Sequence, residues 1–81
     1  MILLLFVGCA TDKHLKRGNQ YWAIGEYYDA SQEYAKAYAK TSPQKKEERG
    51  PLAYRLADCN RLMNYTAKAL SGYRNAARYG Y

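Results

Sequence analysis

Few side chains in this chain are suited to catalysis or metal binding. The single histidine, His14, follows Asp12 and Lys13 on what we expect to be an exposed helical turn, without the partners that either chemistry needs. Cys59 has no second cysteine at metal-ligand spacing, and we interpret it as a small buried apolar residue. Glu33 stands three residues from a lysine, as ordinary surface pairs do. The sequence therefore predicts neither an enzyme nor a bound cofactor or metal.

The other cysteine, Cys9, follows a continuous apolar run at residues 2–7, which is too short to span a bilayer, since that takes about 20 residues. The order of apolar run, glycine, cysteine and polar chain resembles a bacterial lipoprotein signal, with Phe6-Val7-Gly8-Cys9 in place of the lipobox. The resemblance implies that residues 1–9 are part of a signal peptide whose true start lies upstream, and that Cys9 carries a diacylglycerol. A soluble protein with an apolar N terminus, or a disulfide role for Cys9, is the alternative.

An internal repeat organises the rest of the chain. Ala30, Tyr34 and Ala37 share one helix face, on which the alanines admit a neighbouring helix and the tyrosine ring fills the space beside it. Thirty-nine positions later the pattern returns as Ala69, Tyr73 and Ala76. A repeated face of this kind predicts two similar structural units that pack on each other.

Capping and turn residues divide the repeat into helices. Thr11 and Asp12 are expected to cap a first helix, and Gly25 ends it because glycine readily adopts the left-handed conformation of a helix C terminus. Pro51 is expected at the first position of a later helix, where its missing amide would have no partner. We therefore predict an all-α fold with helices over residues 13–24, 26–40, 51–63 and 66–79.

The small and aromatic residues of both copies resemble those of the tetratricopeptide repeat, a pair of antiparallel helices. They are Gly18, Gly25, Tyr27, Ala30, Tyr34 and Ala37 in the first copy, and Ala57, Ala69, Tyr73 and Ala76 in the second. The resemblance implies two helix-turn-helix repeats, over residues 11–42 and 50–81, with a charged insertion at residues 43–49 that lengthens the family's usual period. An unrelated pair of helical hairpins with the same packing is the alternative.

The same resemblance implies a binding surface, because the first helices of successive repeats in that family line a concave groove for a peptide or a partner's helix. The matching positions are Leu15, Lys16, Asn19, Trp22, Tyr54, Arg55, Asp58 and Arg61. Trp22 and Tyr54 would supply aromatic anchors, while the cations would meet carboxylates. Alternatively, Trp22 merely covers the end of the repeat array. Leu15 stands where the family's carboxylate clamp has a lysine, so no clamp for a C-terminal carboxylate is predicted.

The charge of the chain does not by itself predict nucleic-acid binding. The net charge is +6, but the 13 basic residues are scattered, and Glu47 and Glu48 interrupt the densest cluster. The many tyrosines stand at spacings that serve packing between helices more often than base stacking. A protein partner is therefore favoured over a nucleic acid.

Three hypotheses about function follow. Cys9 ahead of the Gly25–Tyr38 repeat, together with residues 64–69, resembles outer-membrane lipoproteins of Bacteroidota, some of which carry an OmpA-like domain and serve secretion or gliding. That resemblance implies an interaction scaffold anchored at the bacterial envelope and truncated here to its first repeats. The second hypothesis is a small soluble, cytoplasmic basic module that binds RNA or an acidic protein. The third is an incomplete product, because two repeats without a capping helix are fewer than such arrays usually need.

Overall fold

A computed structural model describes the backbone of residues 2–81 and the side chains from residue 12 onward. The described chain consists of four helices without strands, and the predicted all-α fold is confirmed. The helices are α1 (Ile2–Ala23), α2 (Tyr27–Lys40), α3 (Lys46–Leu62) and α4 (Thr66–Arg78). Each packs against the next along the chain, so α1–α2 and α3–α4 are two helical hairpins joined through α2 and α3.

Two of the predicted helix starts are wrong. Helix α1 begins at Ile2, so Thr11 and Asp12 lie inside it and do not cap it. Helix α3 begins at Lys46, and Pro51 lies within it instead of at its first position. The acidic residues Glu47 and Glu48 fall in the first turn of α3, where the positive end of the helix dipole favours them. Part of the predicted insertion is therefore helical.

The two hairpin turns are built alike. Gly25 has a φ of 77° and Asn64 a φ of 66°, and these two residues occupy equivalent positions of the repeat. In both turns the next amide donates to a carbonyl five residues earlier: Glu26 to Tyr21 at 2.9 Å and Tyr65 to Asn60 at 2.8 Å. This bond satisfies a helix-end carbonyl and sets the angle at which the second helix leaves.

The first hairpin packs around one tyrosine. Ala30, Tyr34 and Ala37 are completely buried, and Tyr34 donates a hydrogen bond from its hydroxyl to Asn19 Oδ1 at 2.6 Å. A Cβ atom on Gly18 would lie 2.6 Å from Cε1 of Tyr34, so α1 needs glycine at this point. The predicted packing face of α2 thus forms the centre of the core.

The second hairpin repeats this arrangement, but Tyr73 is only partly buried where the equivalent Tyr34 is completely buried. Ala57, Ala69 and Ala76 are buried, and the hydroxyl of Tyr73 donates to Asp58, the residue equivalent to Asn19. Met63 packs against the core, whereas Leu62 is 37% exposed. The internal repeat therefore extends from the sequence to equivalent turns and equivalent tyrosine hydrogen bonds.

A cation and two tyrosines join the hairpins at the opposite end from these turns. The guanidinium of Arg49 lies 3.9 Å from the ring centre of Tyr38 on α2 and 5.5 Å from that of Tyr79, which follows α4. The hydroxyl oxygens of the two tyrosines are 3.0 Å apart. These contacts attach the end of α4 to α2 and α3.

Candidate functional site

Trp22 of α1 and Arg55 of α3 connect the two hairpins on one surface. The Arg55 guanidinium lies over the indole ring at 5.0 Å from its centre. The indole is also held edge-on by Tyr27, whose ring centre is 5.3 Å away. Trp22 is half-buried and packs on the core, whereas Arg55 is exposed. The first helices of the two hairpins thus share a face, which we call the α1/α3 face, with Trp22 and Arg55 at its centre.

Aromatic rings continue from α3 toward the C terminus. Tyr54 is 42% exposed, and its ring centre lies 5.2 Å from those of both Tyr73 and Tyr81. The contact with Tyr73 is edge-on and that with Tyr81 is tilted, and Tyr54 stays partly exposed in both. An incoming chain would therefore meet a partly exposed aromatic surface next to Arg55.

The charge that the α1/α3 face offers to a partner is positive. Lys16 and Arg55 are exposed, and no carboxylate among the described side chains lies within 4.0 Å of either. Asp58, in contrast, accepts hydrogen bonds from Tyr73 and, at 3.5 Å, from Arg61. Burial and the neighbouring Asp58 carboxylate raise the pKa of Tyr73, so its hydroxyl remains a neutral donor. The cations are consequently the charged groups left free for binding.

The structure assigns different roles to the other positions predicted to bind a partner. Leu15 is partly buried and packs against the core, so it adds little open surface. Asn19 is exposed but its side-chain oxygen is engaged by Tyr34. Arg61 donates from Nε to the Tyr73 hydroxyl at 3.0 Å and belongs to the packing of the second hairpin. The open part of the predicted groove is thereby reduced to Lys16, Trp22, Tyr54 and Arg55.

A polar pair between α1 and α2 was missed by the sequence analysis. His14 Nδ1 lies 2.8 Å from Glu33 Oε1, and Glu33 is only 8% exposed, so the expected exposed positions of both residues are wrong. The expected pair of Glu33 with Lys36 is present, with Nζ and Oε2 3.4 Å apart. The hydrogen bond from His14 lowers the pKa of the Glu33 carboxyl, against the opposing effect of burial. Glu33 stands three residues after Ala30 and four before Ala37, and this helical spacing could have placed it on the packed face.

We expect this pair to make the stability of the protein sensitive to acid. Because the pKa of Glu33 is lower in the folded chain than its ordinary value of 4.5, its contribution is present above that value. It is lost as the pH falls through the folded pKa. Urea unfolding between about pH 5 and pH 3 should show a steeper loss of stability for the native protein than for Glu33→Gln. Parallel curves for the two proteins would contradict this prediction.

The structure places Cys59 in the core and leaves it without a chemical partner. Its side chain is completely buried, and burial raises the pKa of the thiol to about 11. Among the described side chains there is no cluster of three groups that could hold a metal ion. The environment of Cys59 is therefore that of a small apolar residue.

We expect Cys59 to be unreactive in the folded protein. At pH 8 the thiolate population should fall by on the order of a hundredfold relative to an ordinary cysteine, and burial blocks access as well. Timed labelling with iodoacetamide, followed by peptide mass analysis to separate Cys59 from Cys9, should show slow labelling that becomes fast in guanidinium. Equal labelling rates in the two conditions would mean that the core opens readily.

Comparison with known proteins does not identify the chain. No protein-family model, no curated protein and no solved structure matches it. Among the described helices, none combines the length and the apolar character needed to cross a membrane. Cys9, the predicted lipid attachment site, lies outside the described side chains. The tetratricopeptide and lipoprotein assignments therefore stay predictions.

Proposed function

We propose that this chain is a protein-interaction scaffold of the tetratricopeptide type, and that its α1/α3 face binds an acidic segment of another protein. The observation that carries this proposal is the stacking of Arg55 on Trp22 across the two hairpins. It places an exposed cation over the half-buried indole ring, close to the partly exposed ring of Tyr54. Surfaces of this composition are enriched where proteins bind each other.

The chemistry of the stacked pair favours a carboxylate ligand. A guanidinium that lies on an aromatic face keeps its N–H edge available, and two parallel hydrogen bonds match a carboxylate. Stacking also restricts the side chain before binding, which lowers the conformational entropy that binding must remove. Lys16 would add attraction without geometric selectivity, because an ammonium group acts as a point charge.

The binding proposal can be tested through the chain's only tryptophan, because Trp22 lies in the proposed site. A dodecapeptide rich in glutamate and leucine, added to the full chain, should change the Trp22 emission. Arg55→Gln should weaken binding by about tenfold or more, as expected for a charge-assisted hydrogen bond. Lys40→Gln, an equal change of charge at an exposed position of α2, should have little effect.

Two results would overturn this proposal. Equal weakening by Arg55→Gln and Lys40→Gln would show nonspecific attraction by the net charge. Tighter binding of a single-stranded RNA dodecamer than of the peptide, with a steep loss of affinity as salt is added, would favour the basic RNA-binding module instead.

We further propose that the scaffold is held at the bacterial outer membrane by lipid on Cys9, as part of a larger secretion- or OmpA-associated protein. This proposal is supported by the resemblance of residues 6–9 to a lipobox. Two or three acyl chains would provide a stable anchor, since each buried methylene contributes about 0.8 kcal/mol. The intact mass of the protein extracted from native membranes should correspond to a chain that starts at Cys9 and carries a diacylglycerol. An unmodified species that starts at Met1 would contradict the anchor.

A further inference from the structure

One side of α3 and the same side of α1 can be compared position by position, because the two helices lead into equivalent turns of the repeat. On α3 this side packs against α2 through Leu52, Leu56, Cys59 and Met63. Two of these side chains are buried in the core, and the other two pack against it. The offset of the repeat assigns the equivalent positions of α1, which we call the outer face of α1, to Lys13, Arg17, Gln20 and Ile24.

The outer face of α1 carries residues that do not suit packing of this kind. All four are exposed, and Ile24, next to the turn, is 70% exposed. Lysine and arginine stand in place of two leucines, and an amide stands in place of the buried cysteine. A helix that packed here as α2 packs on α3 would bury two cations against apolar side chains, which is costly. The residue types therefore indicate a solvated face, as on the terminal repeat of a helical array.

The charge near the outer face of α1 is positive. Lys13 and Arg17 are one turn apart, and the exposed Lys16 stands beside them. Asp12 is the only acidic residue in the sequence of α1. No carboxylate among the described side chains lies within 4.0 Å of these three cations. A group of unpaired cations of this kind attracts a surface of dense negative charge.

An apolar run on the same helix indicates that this surface is a lipid bilayer. Helix α1 continues without a break from Ile2, and residues 2–7 are all apolar. The run ends six residues before Lys13, which is about 9 Å along a helix. A helix of this composition is suited to a membrane surface, because its apolar part enters the acyl boundary while its cations meet phosphate groups. A lipid on Cys9, one turn before Lys13, would lead to the same arrangement.

We propose that the outer face of α1 lies against the phosphate groups of an anionic phospholipid bilayer, with Lys13 and Arg17 as its main contacts. This contact adds to the proposed lipid anchor but does not require it, because the apolar run alone can enter the bilayer. Trp22 lies on the other side of α1, against the core, so the α1/α3 face stays open to a protein partner.

The test measures co-sedimentation of the full chain, expressed without lipid, with phospholipid vesicles. Vesicles of phosphatidylcholine with an equal amount of phosphatidylglycerol should bind the chain, and vesicles of phosphatidylcholine alone should bind it far more weakly. Lys13→Gln with Arg17→Gln should weaken binding to the mixed vesicles about thirtyfold, since each cation near the surface contributes about fivefold. Because both side chains are exposed, this variant should keep the native fold, and its circular dichroism spectrum would verify that.

A matched pair on another helix separates a specific contact from general attraction. Arg74→Gln with Arg78→Gln removes the same charge at the same spacing from exposed positions of α4, and it should have little effect. Nanodiscs of the mixed lipids that contain a gadolinium-labelled lipid report the orientation of the chain. They should broaden the NMR signals of residues 13–20 more than those of α4.

Three results would overturn the proposal. Equal losses for the two pairs would show attraction by the net charge alone. Unchanged binding of the Lys13→Gln, Arg17→Gln variant would show that the apolar run is sufficient, and equal broadening of α1 and α4 would show that no face is preferred. The chain carries no lipid in this test, so the result is independent of the anchor on Cys9. Binding of the acidic peptide beside Arg55 should survive the two changes on α1, so failure of one surface is distinguishable from failure of the other.

Discussion

Replacing Tyr34 with alanine is expected to unfold most of the protein at room temperature. The ring is completely buried, lies against Gly18 and donates from its hydroxyl to Asn19. Removing a buried aromatic side chain destabilises a protein by about 3–5 kcal/mol, partly because the cavity cannot close. A core in a chain of about 80 residues seldom contributes more than that in total. Circular dichroism should show little helix, or a melting temperature far below that of the native protein.

A matched variant separates the contribution of the Tyr34 ring to stability from that of its hydroxyl group. Tyr34→Phe keeps the packing against Gly18 and removes only the hydrogen bond to Asn19, whose exposed side chain can turn to water. We expect a loss of about 0.5–1.5 kcal/mol for this variant. A cooperative transition for Tyr34→Ala close to that of Tyr34→Phe would mean that the ring is not the centre of the core.

The sequence correctly predicted those parts of the fold that depend on residues close together in the chain. The spacing of Ala30, Tyr34 and Ala37 defines one helix face without knowledge of what packs on it. Gly25 and Asn64 are residue types that tolerate the left-handed conformation in which the structure places them. Four helices in two hairpins follow from these local features together with the repeat.

Features that depend on the tertiary structure could not be predicted from such local sequence patterns. Pro51 suggested a helix start, but it is the sixth residue of α3, where it removes a hydrogen bond to the carbonyl of Glu47 at an exposed position. Glu33 was placed outside because carboxylates seldom stay buried without a partner, and its partner His14 lies on another helix.

In the candidate site, too, the sequence predicted which residues share a face but did not predict their tertiary contacts. Trp22 and Arg55 were each placed on the proposed surface by the resemblance to a family, yet their stacking depends on how the two hairpins are joined. Leu15 and Asn19 occupy equivalent-looking surface positions but are used by the core and by Tyr34. Sequence spacing identifies a helix face, while the tertiary contacts decide which residues of that face stay free.

Replacing Gly72 with alanine is expected to destabilise the second hairpin, although alanine is the better helix former. Within a helix the exchange gains about 1 kcal/mol from backbone preference. A Cβ atom at Gly72 would lie 2.7 Å from Cβ and 3.2 Å from Cα of Ala57, so α3 and α4 would have to separate. Such overpacking costs about 1–3 kcal/mol. Because one of the contacts is to the backbone of a packed helix, we expect the cost to exceed the gain.

Urea unfolding should therefore show a net loss for Gly72→Ala, while Ser71→Ala, one residue away and exposed, should be neutral or slightly stabilising. The double variant that adds Ala57→Gly removes the atom against which the new methyl group would press. It should be more stable than the sum of the two single changes predicts. Strict additivity, or a Gly72→Ala protein more stable than the native one, would show that α3 and α4 do not approach as closely as Ala57 and Gly72 indicate. The close approach of these helices also positions Tyr73, whose ring lies 5.2 Å from that of Tyr54, so the same measurement tests how the aromatic part of the α1/α3 face is held.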